Sequence, residues 1–480
     1  WALIIRGAPG GVHPHSKFKD YLSLRKKAMI AKDKNALGVL FVNQNGDNDL
    51  PKLKHSPNSL SIGIPVIQIK RNLANQLVSQ KLNDLQIKLD ETSQPQSFMI
   101  TKQVSGEINL KREAFSSTLQ NINSVVDKST SSNKPILSNF VIRTMEGEAP
   151  KVEFSSTDYE LSLVEQVEAE ITEPGSICVN AKKVFDIVKE LQDEDVKIRS
   201  TEQLWIHITC GSSEMRLPSV EVGLYPQTVL EELPQSVTIS VDDLKQCIDM
   251  TLFAAITNES RRNLMGVCLS STSDQQTRWL STDGHRLAQI LKSVDDMNFS
   301  EDQEVIVPRK VLTEVRRVAD LFGQKVVISF NERVMQFTGS RISFKTRLIE
   351  GKFPNCDPII PKDNTKQIIV NRESFINSLR IVSSISSEKL RPVKLLISQG
   401  VLKLESEKAD YGEVVDEIEI GYEGDPFQIG FNSRYLLDVL NVIESEDIKL
   451  ESKNSMSPTI IKSTVDESFL SVIMPLRVEW

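Results

Sequence analysis

Five histidines and five cysteines are the first residues to weigh for chemistry in this 480-residue chain. None of His13, His15, His55, His207 and His285 belongs to an H-E-x-x-H zinc motif. His13-x-His15 has a spacing that could touch a metal, although histidines in a loop of this kind are usually just solvated. Asp283-Gly284-His285 places a carboxylate and an imidazole two residues apart, on one face if the segment is a strand. No nucleophile or further base accompanies them. A Walker-type Gly-Lys-Ser/Thr loop is absent, which argues against nucleotide hydrolysis. Cys178, Cys210, Cys247, Cys268 and Cys356 form no C-x-x-C pair, and this sparse, odd set suits a reducing compartment, the cytoplasm. The expectation is a protein that is not an enzyme, with no catalytic residue, metal site or cofactor.

The elements that position these residues fall into two unlike parts. In residues 1–98 a short apolar run, Trp1-Ala2-Leu3-Ile4-Ile5, is closed by the loop Gly7-Ala8-Pro9-Gly10-Gly11. A basic helical stretch from Ser23 to Ala36 follows, then buried-type strands at Leu37 to Val42 and Ile64 to Ile69. Strand, helix and strand in this order read as a small α/β unit. The chain begins inside what reads as a strand, so the true N-terminus is expected to lie upstream.

From about residue 105 one pattern repeats, an alternating strand running into an amphipathic helix. Three copies are Ile108 to Phe115, Val237 to Leu244 and Ile369 to Phe375, roughly 130 residues apart, near the usual size of a domain. Their helices carry Phe115, Leu119, Ile122; Leu244, Ile248, Leu252; and Phe375, Leu379, Val382 at helical spacing. Within each period the motif recurs, at Ile177 to Phe185, Val305 to Leu312 and Gln428 to Leu436. Short alternating strands follow the helices, such as Val196 to Ser200 with Leu204 to Thr209. The fold class expected is α+β, six strand-helix-strands units paired into three domains at 105–233, 234–364 and 365–480.

A sheet-plus-helix unit that cannot cover both its faces packs on a neighbour. If such an array curves and closes head to tail with a second copy, the helices line a bore and the strands form the wall. The net charge of -8 does not exclude DNA, because local field rather than net charge steers it. Candidate DNA-facing residues are Lys182, Lys183 and Lys189; Arg309, Lys310, Arg316 and Arg317; and Arg372 and Arg380. Basic helix faces are also commonly just solvated. Aimed at phosphates, they give sequence-independent, salt-sensitive attraction. Only 6% of the chain is aromatic, and the stacking groups of a single-strand binder are not arranged here.

Ser281 to Ala288, Glu350 to Pro354, Ser387 to Arg391, Phe431 to Leu440 and Met474 to Arg477 together form a specific signature. On these stretches residues 105–480 resemble the beta sliding clamp, the processivity subunit of bacterial DNA polymerase III, over its full length. The resemblance implies a three-domain clamp whose partners are duplex DNA, the polymerase III catalytic subunit, the clamp loader, other proteins with a clamp-binding motif, and a second copy of itself. It also implies a hydrophobic cleft for a short peptide. The cleft walls carried over are Leu264, Thr282, Gly284, His285, Arg286, Leu287, Pro354 and Ile359, with Asn432, Tyr435, Val472, Met474, Pro475, Leu476 and Arg477. Arg286 and His285 would supply polar anchors; without the resemblance Met474 and Leu476 would read as ordinary core. Ile385 is a candidate dimer contact. Asn263 stands where some members carry an aromatic, and the chain runs past Arg477 with Val478-Glu479-Trp480.

Residues 1–98 resemble instead the protease-associated domain of some secreted or membrane-bound aminopeptidases. The resemblance rests on Ile4 to Gly7, His13 to Ser16, Ser23 to Ala28 and Gly38 to Val42, and implies a lid or interaction module without a catalytic metal. The two parts meet between about Gln94 and Phe115; a hybrid gene model or assembly error is the leading explanation of their union, and a genuine appended interaction domain is the alternative. The rival functional reading is a lid segment of a secreted aminopeptidase fused to a non-functional clamp.

Overall fold

A computed structural model describes residues 2–5, 23–33, 39–43, 66–70, 74, 107–126, 134–145, 149–192, 195–201, 204–228, 230–257, 261–272, 274–299, 303–385, 391–407 and 412–476. His13, His15 and Arg477 lie outside these residues. The chain divides into two compact units, Trp1–Gln103 and Val104–Trp480.

In the first unit, strands β1 (Ala2–Ile5), β2 (Val39–Val42) and β3 (Val66–Ile69) form a parallel sheet with β2 in the centre. Parallel neighbours need a crossover, and helix α1 (Leu24–Asp33) lies on the connection between β1 and β2. Its Ala28 and Ala31 pack on Val39 and Phe41, while Val42 and Ala74 form a separate small cluster.

The second unit contains, among the described residues, helices α2 (Arg112–Val125), α3 (Ala181–Val188), α4 (Val241–Leu252), α5 (Arg309–Arg317), α6 (Arg372–Ser383) and α7 (Ser433–Leu440). Each follows a strand with no intervening loop, as the repeat predicts. The residue at four of these corners makes the turn possible. The side chains of Asn180, Ser240, Asn371 and Asn432 accept hydrogen bonds from Lys183 N, Asp243 N, Ser374 N and Arg434 N, at 3.0, 3.0, 3.1 and 3.0 Å. Each thereby satisfies an amide that the first helical turn leaves unpaired. The predicted stripes are buried, except that Leu252 is only half-buried.

The helices pack in pairs, α2 with α3, α4 with α5 and α6 with α7. Arginine begins the second helix of the middle pair and the first of the last pair, and each arginine reaches the C-terminal carbonyls of its sister. Arg309 Nη1 donates to Leu252 O and, at 3.1 Å, to Ala255 O; Arg372 Nη1 donates to Leu440 O at 3.1 Å. A cation at the negative end of a helix dipole is favourable.

Two antiparallel pairings run between domains. Ile342–Arg347 pairs with Leu161–Glu168, joining the second domain to the first in a 14-stranded sheet. Arg286–Ser293 pairs with Phe469–Ile473, joining the second to the third in a 12-stranded sheet. Glu107–Lys111, near the junction of the two sequence textures, is bonded on both sides within the 14-stranded sheet.

The α4 cap gives a first prediction. Ser240 Oγ also donates to Asp243 Oδ2 at 2.6 Å, and Lys292 Nζ lies 3.0 Å from Asp243 Oδ1. Burial alone raises the Asp243 pKa, but the Ser240 and Lys292 bonds outweigh it and hold the carboxyl below its ordinary value. A depressed carboxylate stabilises the fold above its unfolded pKa and ceases to as pH falls through the folded one. Ser240→Ala is expected to cost about 1 kcal/mol in urea unfolding at pH 7. The carboxylate-dependent share of that loss should shrink below about pH 4; a pH-independent loss would rule this share out.

Candidate functional site

Ser281 to Leu287 is a turn built around Asp283. Its Oδ1 accepts from His285 N at 2.9 Å and Arg286 N at 3.0 Å, and Thr282 Oγ1 accepts from Gly284 N at 3.0 Å. Gly284 has φ of 89°, a left-handed backbone that glycine adopts without strain. The turn presents His285 outward and buries Thr282 and Leu287.

Against this turn lies the end of the last described strand. Met474 N donates to His285 O at 2.9 Å, and two residues on Leu476 N donates to Gly430 O at 2.8 Å. The segment 474–476 therefore bridges the second-domain turn and the strand Phe427–Asn432 of the third domain. Beneath it is a hydrophobic cluster separate from the main core. Leu264, Leu287 and Val472 belong to it, with Leu280, Ile306, Phe353, Ile460, Cys268 and Cys356. Pro354 and Ile359 are exposed at its margin, and Tyr435, Met474, Pro475 and Leu476 are half-buried. The described residues of the predicted cleft are thus gathered at the junction of the second and third domains. All five cysteines are buried, free thiols.

Three residues have structural partners that sequence reasoning missed. Asn432 is 3% exposed and serves as the cap of α7. Asn263 Nδ2, in the short 3-10 helix Arg262–Leu264, donates to Lys352 O at 3.1 Å. Arg286, expected as a polar anchor, already donates to Asp283 Oδ2 at 3.0 Å, Asp438 Oδ2 at 2.6 Å and Phe253 O at 2.7 Å. The missed partner Asp438 was legible in principle, since Tyr435 and Asp438 are three apart on α7 and share a face.

The nine basic candidates divide by their surroundings. Lys182, Lys183 and Arg380 are exposed, with no side-chain partner among the described residues. Lys189 lies near Asp186 and Glu190, and Arg316 pairs with Asp249. Lys310 pairs with Asp158 of the first domain. Arg317 donates to Asn121 and Ser124 on α2, each at 2.9 Å. Arg309 and Arg372 are half-buried on helix carbonyls. Ile385, the candidate dimer contact, is half-buried.

The repeated strand-helix fold in three domains defines the class of a DNA clamp. Models of the DNA polymerase III beta subunit match its N-terminal domain at residues 107–230, its central domain at 238–355 and its C-terminal domain at 357–477. The beta sliding clamp of Caulobacter vibrioides is 32% identical over 381 residues, which are 78% of this chain and 100% of the relative. That of Pseudomonas aeruginosa is 32% identical over 374 residues, 77% of this chain and 99% of the relative. Among solved structures, the clamp of C. crescentus superposes with a TM-score of 0.73 at 32% identity, covering 78% of this chain and all of that one. A clamp from Bartonella birtlesii bound to griselimycin gives 0.72 at 30% identity over the same shares. The chain belongs to the beta sliding clamp family. It is accordingly a processivity subunit and not an enzyme. The reading of a lid segment on a non-functional clamp gains no support from these comparisons. Among the described residues, no helix is long and apolar enough to cross a membrane.

Proposed function

We propose that this chain closes into a two-subunit ring around duplex DNA in the cytoplasm. It tethers the replicative polymerase, the clamp loader and other motif-bearing proteins through the cleft between its second and third domains. The domains are taken as 105–233, 234–364 and 365–480, preceded by the appended unit 1–98, whose protease-associated character we retain as a proposal. The observation that carries the ring reading is a pair of open strand edges. Among the described residues, Ser213–Val220 of the first domain pairs fully with Trp205–Cys210 but only through Ser219 and Val220 on its other side. Among the same residues, Val415–Gly421 of the third domain pairs with Val401–Ser406 but only through Ile420 and Gly421 on its other side. An unpaired edge is a template for another strand, and a head-to-tail contact of first with third domain uses both. Ile385, whose Cδ1 lies beside Gly412, belongs to the same end of the third domain.

In the cleft, Leu264, Leu287 and Val472 would hold apolar anchors of an extended peptide, with Met474 and Leu476 able to adapt to them. His285, Thr282, Gly284, Pro354, Ile359, Tyr435 and Pro475 would form the rim, and Arg477 would extend it. Of the basic residues, Lys182, Lys183 and Arg380 are best placed for phosphates, because the others have nearer partners.

Topology supplies the test. After loading onto a closed circular duplex by a bacterial clamp loader, the protein should stay with the circle through gel filtration and leave when the circle is cut. Release at the same rate from intact and cut circles would sink the ring reading. Lys182→Glu with Lys183→Glu should lower affinity for a short linear duplex about tenfold at low salt and flatten its salt dependence by roughly two phosphate contacts. An unchanged salt slope would remove these lysines from the DNA-facing set.

A further inference from the structure

We propose that Asp438 is a positioning residue of the cleft, holding the Arg286 guanidinium and cancelling its charge so that the cleft selects peptides by shape rather than by acidity. The inference rests on the reading of the cleft as a peptide site.

Arg286 bridges two domains. It leaves the second-domain turn through Asp283, and its Nη1 reaches Asp438 on α7 of the third domain. Its side chain is 9% exposed and that of Asp438 is 30% exposed, so the pair is shielded on one side and open on the other. The guanidinium carbon lies 4.4 Å from the Tyr435 ring centroid and 5.3 Å from that of Phe253. Tyr435 in turn stacks on the rim residue His285, with centroids 6.4 Å apart and planes 22° apart. A displacement of Arg286 would therefore reach the rim through Tyr435.

The partly buried charges here offset one another, while exposed Arg261 beside Gly284 and Arg434 beside Tyr435 lie outside this group. Arg286 and Arg309 both donate to carbonyls at the end of α4, and each guanidinium repels the other. Burial and the neighbouring Arg286 lower the Arg309 pKa, while Asp438 counters them. Asp283 and Asp438 supply two carboxylates against two guanidiniums. Asp283 is also tied to the backbone of its turn, whereas among the described residues Asp438 bonds only to Arg286. Removing the Asp438 charge adds one positive unit to the balance beside the cleft while the turn stays intact. Burial and the nearby Asp283 raise the Tyr435 pKa, so its phenol stays neutral and supplies no compensating anion at neutral pH.

The test uses the full chain and two labelled synthetic peptides with the same alternating Leu and Phe anchors. They differ at one flanking residue, Glu in one and Lys in the other. The wild type should bind both with affinities within about twofold. Asp438→Asn should favour the Glu peptide by about fivefold, as one screened charge near the rim would. Arg286→Gln should favour the Lys peptide, and Asp438→Glu should keep the wild-type ratio. A general loosening of the cleft would weaken both peptides alike, so the ratio separates positioning from mere structure. If Asp438→Asn does not fold, the opposite sign expected of Arg286→Gln still decides. Unchanged ratios in the folded variants would overturn the proposal while leaving the cleft reading intact. Failure of the wild type to bind either peptide would overturn both.

Discussion

Replacing Glu165 with alanine is expected to destabilise the protein by about 3 kcal/mol, more than any surface substitution. The carboxylate is fully buried at the junction of the first and second domains. It accepts from Thr118 Oγ1 at 2.9 Å, Asn121 Nδ2 at 3.0 Å and Arg341 Nη2 at 2.7 Å. Thr118 and Asn121 lie on α2 and are themselves buried, whereas Arg341 comes from the second domain and is 36% exposed. Without Glu165 the two buried donors lose their acceptor, at about 1–3 kcal/mol for each left unsatisfied. Arg341 can turn partly to water, which keeps the total near the low end of a broken buried pair. Neighbouring bonds share the load: Gln166 N donates to Arg341 O at 2.9 Å, and Arg317 holds Asn121 from the other side. The urea midpoint of Glu165→Ala gives the stability change. Amide exchange along Leu161–Glu168 and Ile342–Arg347 should rise first, since that ladder joins the two domains. A loss below about 1 kcal/mol, the value of an ordinary hydrogen bond, would contradict the role given to this network.

What the sequence made legible follows from the physics of each signal. Six strand-helix corners could be read because the period changes from 2 to 3.6 at each, and the residues around the change are local to it. The capping role of Asn432 is equally local, but family resemblance transfers a position without saying which of its atoms are already bonded. Glu165 carried a readable clue. Leu161, Leu163 and Val167 face inward, and strand alternation puts Glu165 on that same side. Its partner Arg341 lies 176 residues away, and no local pattern names it. The continuous sheets were invisible for a similar reason, since alternation fixes which face of a strand is buried but not which strand lies beside it. Basic residues were legible by type alone. Whether Arg309 faces a phosphate or a helix carbonyl depends on the packing of α5 against α4.

Glu417→Pro should convert a dimer into monomers without unfolding the third domain. The direction of each backbone group in Val415–Gly421 can be worked out. Ile420 N donates to Gly400 O at 3.0 Å, Gly400 N to Tyr422 O at 3.1 Å and Ser406 N to Val414 O at 2.9 Å. Backbone groups along a strand alternate sides, so even-numbered residues face Val401–Ser406, and Val415, Glu417 and Glu419 face the open edge. Proline at 417 thus spares the internal ladder and removes a donor only from the edge proposed to meet the partner. On the opposing edge, Ser219 N donates to Leu204 O at 2.7 Å, which turns Glu214, Arg216 and Pro218 outward. Pro218 has no N–H to offer, so Glu214 and Arg216 carry the donors there. A two-fold ring has two such contacts, and a cost of about 2 kcal/mol at each would raise the dissociation constant roughly a thousandfold. Light scattering across a dilution series should show the wild type as a dimer where Glu417→Pro is a monomer, with matching far-ultraviolet circular dichroism. Glu419→Ala, which keeps its N–H, should remain a dimer. A Glu417→Pro dimer as tight as the wild type would place the ring contact elsewhere, and a monomeric wild type would refute closure itself.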